Sequence, residues 1–197
     1  LSARSERIRA FIAVDIEEPR VVARLVQIRD AFVATGAPMK PVEDQNLHIT
    51  IRFLGDTPVS LLDELHRVLE EAAPRRVLLR LRGVGAFPSI ERPRVIWVGV
   101  EPGPGAEELR RIFEAVERGV RRLGWRPERE EFVPHVTLAR LKGRRNIERV
   151  VKLLREMEDV EVGEVYLEAL RLKQSILTRS GPIYRTVREV RARPVEA

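Results

Sequence analysis

The sequence predicts an α+β fold, a bilobal pseudo-twofold duplicate in which two curved mixed or antiparallel sheets face a central cleft with helices outside. Two observations carry this. Strand-like apolar runs alternate with amphipathic helical stretches in an order that repeats about 85 to 87 residues later. The run His-apolar-Thr-apolar occurs once in each copy, at His48–Ile51 and at His135–Leu138.

The elements follow in order. Residues 7–16, RIRAFIAVDI, are rich in strand formers and are broken by EEP; residues 20–35 then carry apolar positions at helical spacing. A polar, proline-bearing loop leads into LHITIRF (47–53), a helix over 60–73 and a strand over 76–84. The second copy begins with RVIWVGVE (94–101), is broken by PGPG, and continues with a helix over 107–123 and another proline-bearing loop. PHVTLAR (134–140), a helix over 146–157 and a strand over 162–173 complete it. The tail reads as a hairpin around Ser180-Gly181-Pro182 that closes the second sheet with residues 184–191. With no linker or low-complexity segment between the copies, residues 1–197 form one bilobal domain.

Composition bounds the chemistry. At 197 residues and 44% hydrophobic the chain can bury a core, and its lack of cysteine excludes disulfides and thiolate metal sites and fits a reducing, cytoplasmic setting. No apolar run reaches the roughly 18 residues of a membrane span, and the first ten residues lack the apolar stretch of a signal peptide. The net charge of +6 is arginine-driven, since only Lys40, Lys142, Lys152 and Lys173 are lysines. Arginine forks suit phosphates and bases, and they equally suit a surface laced with ion pairs.

The chain has three histidines. In a strand, residues i and i+2 share a face, so His48 points with Thr50 and His135 with Thr137. Equivalent strands related by a twofold bring those faces toward the axis, where two imidazoles and two hydroxyls converge on one cleft. His66 sits in an amphipathic helix without a counterpart in the other copy and reads as structural. Two imidazoles with ordinary pKa near 6.5 make an acid–base pair, and threonine hydroxyls donate to oxygens that gain negative charge. That set suits metal-free phosphoryl transfer; two histidines fall short of the usual three or four metal ligands, so no metal or other cofactor is expected. The residues alone leave open which ring is acid and which is base.

The flanks NLHITIRFLGD and FVPHVTLAR, the start RAFIAVDI, the strand RVIWVGV and the ending KQSILTRSGPIY resemble the two-histidine phosphoesterase superfamily, in its RNA 2′,3′-cyclic phosphodiesterase branch, long labelled 2′-5′ RNA ligase. The resemblance implies hydrolysis of a terminal 2′,3′-cyclic phosphate to a 2′-phosphate, with His48 as proton donor to the departing 3′-oxygen and His135 as proton acceptor from water. It implies that Thr50 and Thr137 hold the non-bridging oxygens and that Phe53 and Arg140 hold the terminal base. Phe53 stands five residues past its histidine, an odd offset that needs a bend or bulge before Gly55 to reach the same face, and Arg140 stands in the same relation to its own histidine. The partners implied are RNA with a cyclic phosphate end, tRNA fragments and nucleotides, engaged by a monomer away from membranes. Two alternatives stay open: joining tRNA halves through a 2′-5′ bond by the reverse chemistry, and a non-catalytic RNA end-binding module.

Overall fold

A computed structural model describes residues 6–194; the ends of the predicted 1–197 domain, 1–5 and 195–197, lie outside the described residues. The first repeat runs β1 (Arg7–Asp15), α1 (Pro19–Val33), a short β2 (Met39–Pro41), β3 (His48–Pro58), α2 (Leu62–Glu71) and β4 (Leu78–Pro88). The second runs β5 (Pro93–Val100), α3 (Pro104–Arg122), β6 (His135–Leu141), α4 (Ile147–Glu156), β7 (Glu161–Tyr166) and β8 (Ala169–Thr178), and β9 (Gly181–Arg191) follows.

Local chemistry explains the boundaries. Glu18 caps α1 by accepting the Val21 N–H at 2.8 Å, Pro19 begins the helix with φ already set, and Val21, Leu25, Ile28 and Phe32 bury one stripe of it. Helix α3 also starts on proline, after Gly103 in a backbone conformation that L residues rarely adopt (φ 149°), and buries Leu109, Ile112, Val116 and Val120. In the strands, Ile12, Ile49, Ile96, Val98, Val136 and Leu138 are fully or almost fully buried under the helices. The residues alternating with them in β3 and β6 stay partly exposed on the opposite face.

Strand order is β7-β4-β5-β6-β3-β1-β8-β9, with β2 on the edge of β6. Every pairing between these strands is antiparallel, which settles the choice between mixed and antiparallel sheets. The order is a palindrome: β6 matches β3, β5 matches β1, β4 matches β8 and β7 matches β9. The two expected sheets are therefore halves of one continuous sheet, joined between β3 and β6 through the pair Ile49↔Val136.

The halves exchange strands. β4, at the end of the first repeat, pairs with β5 in the second half, and β8 crosses back to pair with β1 in the first. This corrects two expectations. The strand expected over 162–173 is two strands broken at Leu167 and Glu168, because β7 completes the second half while β8 belongs to the first. The β8–β9 hairpin, turning at Thr178↔Gly181, closes the first half rather than the second.

Candidate active site

The two His-Thr runs occupy the central strands β3 and β6, which meet at Ile49↔Val136, so His48 and Thr50 flank the seam on one side and His135 and Thr137 on the other. Each run carries a β-bulge at the same place. Thr50 pairs with Ala13 while Arg52 pairs with Ile12, leaving Ile51 unopposed; Thr137 pairs with Trp97 while Ala139 pairs with Ile96, leaving Leu138 unopposed. The extra residue reverses the alternation. Ile51 and Arg52 are both buried, as are Leu138 and Ala139, and the next residues, Phe53 and Arg140, emerge on the histidine face. The odd offset of five is thus absorbed in both copies by the same device.

Phe53 and Arg140 accordingly line, with His48, Thr50 and Thr137, a cleft of ≈ 340 Å³. Phe53 is 46% exposed, and the Arg9 guanidinium lies 4.9 Å from its ring centroid, which orients it at the cleft mouth. His66 lies apart on α2, its Nε2 2.9 Å from Glu70 Oε1 one turn on.

Both catalytic candidates are held alike. His48 Nδ1 donates to the Asn46 carbonyl at 2.7 Å, and His135 Nδ1 donates to the Val133 carbonyl at 2.6 Å. A carbonyl only accepts, so each Nδ1 carries a proton and each Nε2 is left to exchange one. His48 Nε2 lies 3.0 Å from Thr50 Oγ1. Aromatic rings fix both imidazoles. Phe11 and Tyr184 lie 5.1 and 5.4 Å from the His48 ring, and Phe87 and Trp97 lie 4.9 and 6.0 Å from the His135 ring.

The family model described as the 2′-5′ RNA ligase superfamily matches residues 17–172. An RNA 2′,3′-cyclic phosphodiesterase of Aeropyrum pernix is 55% identical over 87% of this chain and 97% of its own. The chain belongs to the 2′-5′ RNA ligase superfamily. An RNA 2′,3′-cyclic phosphodiesterase of Methanothermobacter thermautotrophicus is 36% identical over 90% of this chain and 95% of its own. A Thermus thermophilus crystal structure aligns with TM-score 0.76 at 29% identity, covering 96% of this chain and all of that one. Escherichia coli LigT complexed with 3′-AMP shares the fold with TM-score 0.76 at 20% identity, covering 95% of this chain and 99% of that one.

In this superfamily member the first half adds cleft residues that the motifs do not announce: Arg9 and Phe11 from β1, Ser175 and Leu177 from β8, and Tyr184 from β9. Tyr184 arrives beside His48 only because β8 crosses back to β1, and sequence periodicity carries no signal of that crossing. Burial holds the Tyr184 hydroxyl above its ordinary range, opposed by Arg140 and Arg9, so it remains a donor at neutral pH.

Both imidazoles titrate below their ordinary value, chiefly because burial disfavours the charged ring. For His48 the Asn46 carbonyl and Asp15 oppose this, while Lys173 and His135 add to it; for His135 the Val133 carbonyl opposes it and Arg140 adds to it. Asp15, opposite His48 in the β1–β3 ladder, binds Lys173 Nζ and Arg171 Nη1 at 2.8 Å each. Burial works against its ionisation, but hydrogen bonds and charge from those two cations hold its carboxyl below the usual range. A pH prediction follows. An acid–base pair built from these two rings works with one protonated and the other neutral, so with both lowered its kcat/KM optimum falls below about pH 6.5, and a bound phosphate anion moves the kcat optimum upward. Steady-state rates from pH 4.5 to 8.5 check this; a kcat/KM still rising above pH 7.5 contradicts it.

Proposed function

We propose that this chain hydrolyses RNA ends bearing a 2′,3′-cyclic phosphate, breaking the bond from phosphorus to the 3′-oxygen and leaving a 2′-phosphate. The observation that carries the reading is the pair of Nδ1-anchored imidazoles, His48 and His135, on the two strands that meet at the sheet's centre, each with its threonine two residues on. In this scheme His135 Nε2 takes a proton from water as the oxygen attacks phosphorus, and His48 Nε2 gives its proton to the departing 3′-oxygen. Thr50 and Thr137 donate to the non-bridging oxygens, and Phe53 and Arg140 hold the terminal base between a ring and a guanidinium.

The assignment of acid and base follows the resemblance: burial dominates the lowering of both rings, Arg140 adds to it at His135, and at His48 the favourable charge of Asp15 is opposed by Lys173 and His135. The relatives named as RNA 2′,3′-cyclic phosphodiesterases support the substrate class. Residues 1–197 are taken to act as one bilobal unit and as a monomer: each half of the sheet needs a strand from the other repeat, and both histidines come from one chain. No helix among the described residues is long and apolar enough to cross a membrane. We place the protein in the cytoplasm, where RNA and nucleotides are its expected ligands.

The test is incubation with an oligoribonucleotide ending in a 2′,3′-cyclic phosphate, with and without EDTA. The expected product is the 2′-phosphate in both. A 3′-phosphate, dependence on added metal, or an unchanged end with tight salt-sensitive binding would each overturn the reading. Thr50→Ala and Thr137→Ala should each lower kcat about 10- to 100-fold with little change in KM, since one of several donors to the phosphoryl oxygens is removed.

A further inference from the structure

The fold is symmetric about the seam, but the cleft faces of its halves are not. Asp15 stands opposite His48 while Gly99 stands opposite His135, and β2, on the edge of β6, has no counterpart beside β3 among the described residues. The matching stretch, 124–134, forms no strand there; its Trp125 indole donates to the Leu54 carbonyl at 3.0 Å, and it carries Glu128, Glu130 and Glu131 against Arg126 and Arg129. The two ends of the cleft are therefore unlike. At the β6 end, Lys40 of β2 pairs with Arg140, so both side chains leave the sheet on the face where Arg140 lines the cleft. The ladder runs one step past β6, where the Lys142 N–H donates to the Pro38 carbonyl at 2.8 Å. Alternation returns Lys142 to the same face, about 7 Å beyond Arg140. The Lys40 stem reaches the β8–β9 turn: a β-carbon at Gly181 would stand 3.9 Å from its Cε, and Leu177 and Pro182 of that hairpin line the cleft. Lys40, Arg140 and Lys142 are exposed, and among the described residues none of them is in an ion pair. Of the carboxylates in the loop after β2, Glu43 also reaches the turn but accepts from Gln45 Nε2 at 2.6 Å, and Asp44 accepts from Arg29 Nη1 at 2.6 Å.

We propose that Lys40 and Lys142 form a track for the RNA strand on the 5′ side of the cyclic end, gripping its phosphodiesters without reading its bases. The inference rests on the function proposed above and concerns the part of the substrate that the catalytic groups do not touch. With its terminal base at Phe53 and Arg140, the strand has to leave the cleft at one end. Toward 124–134 it meets a stretch with more carboxylates than cations; past Arg140 it meets two unpaired ammonium groups, one on each side of that arginine's strand end. Lysine is rare in this chain, yet both of these positions carry it. A flexible ammonium follows a phosphate whose place shifts from one RNA sequence to the next, whereas an arginine fork favours one fixed geometry. Each such contact neutralises a phosphate and releases counterions, so affinity rises with strand length until the track is filled and falls with salt.

Binding is read first, without chemistry, as the anisotropy of 5′-labelled di- and hexaribonucleotides ending in a 2′-phosphate, titrated with the full chain across a salt series. At low salt the hexanucleotide is expected to bind wild type about tenfold more tightly than the dinucleotide. Combining Lys40→Met with Lys142→Met, which keeps both stems, should remove most of that difference and flatten the slope of log K against log salt by about 1.4, or about 0.7 per phosphate contact. Lys40→Arg with Lys142→Arg should largely keep both. In turnover, kcat/KM for a cyclic-ended hexanucleotide should fall about tenfold in the double methionine variant, while that for a 2′,3′-cyclic mononucleotide stays within about twofold. Equal wild-type affinity for the two lengths, or an unchanged salt slope in the methionine variant, overturns the track. So does an equal loss on mononucleotide and hexanucleotide, which would mean that the lysines merely support the terminal-nucleotide site. Hydrolysis without length preference removes the track and leaves the hydrolytic reading. A wild type that binds with the expected slope but leaves cyclic ends intact removes the hydrolytic reading and leaves the track standing.

Discussion

Replacing His135 by asparagine should lower kcat on a cyclic-ended oligoribonucleotide by about 10² to 10⁴, or roughly 3 to 5 kcal/mol of transition-state stabilisation, with KM changed only a few-fold. His48→Asn should fall in the same range. Asparagine keeps a donor for the carbonyls of Val133 and Asn46, the partners of the two Nδ1 atoms at 2.6 and 2.7 Å, so the loss reports proton transfer rather than collapse of the loop before each strand. The double variant should be scarcely worse than the worse single one. An acid and a base that serve one displacement act as a unit, and once either is gone the other has little left to accelerate. Residual activity would come from the threonine donors and from base binding at Phe53 and Arg140. Single-turnover rates on end-labelled RNA check the prediction; a double variant within tenfold of wild type would remove the two rings from the chemistry.

Part of this site is legible in the residues and part is not, and β-sheet geometry divides the two. His48, Thr50, His135 and Thr137 are readable because period-two alternation places each pair on one face, and because a repeat demands that equivalent faces meet. The offset of Phe53 and Arg140 called for a bulge, and the structure has one in each copy, at Ile51 and Leu138. Strand order is a long-range property that no local pattern encodes. Hence the crossing of β4 and β8 between halves, the placement of the final hairpin against β1, and the arrival of Tyr184, Ser175 and Leu177 in the cleft are visible only in the fold. The difference between the lobes is hidden for the same reason. Asp15 and Gly99 are unremarkable in their own strands and gain meaning only when the ladder sets each opposite a histidine.

The bulge that turns Phe53 outward also turns Arg52 inward, and Arg52→Ala is expected to cost about 3 to 5 kcal/mol of stability. Arg52 is 8% exposed. Its Nε pairs with Glu117 of α3, Nη1 donates to the Phe53 carbonyl at 2.8 Å, and Nη2 donates to the Arg126 carbonyl at 2.5 Å. Removing the guanidinium leaves a largely buried carboxylate without its cation and two carbonyls without their donor, the circumstance in which breaking an ion pair costs most. For a chain of this size that is a fall in Tm of about 6 to 20 °C. Replacing both partners, Arg52→Met with Glu117→Leu, should recover most of the loss, because no buried charge is then stranded. The coupling also reaches the cleft: the backbone carbonyl of Phe53 is one of the anchors of Arg52, so the single variant should raise KM for RNA more than it lowers kcat. Thermal unfolding of both single variants and the double checks the energetics. Equal losses for the arginine variant and the double variant would mean that packing, not charge pairing, holds α3 against β3.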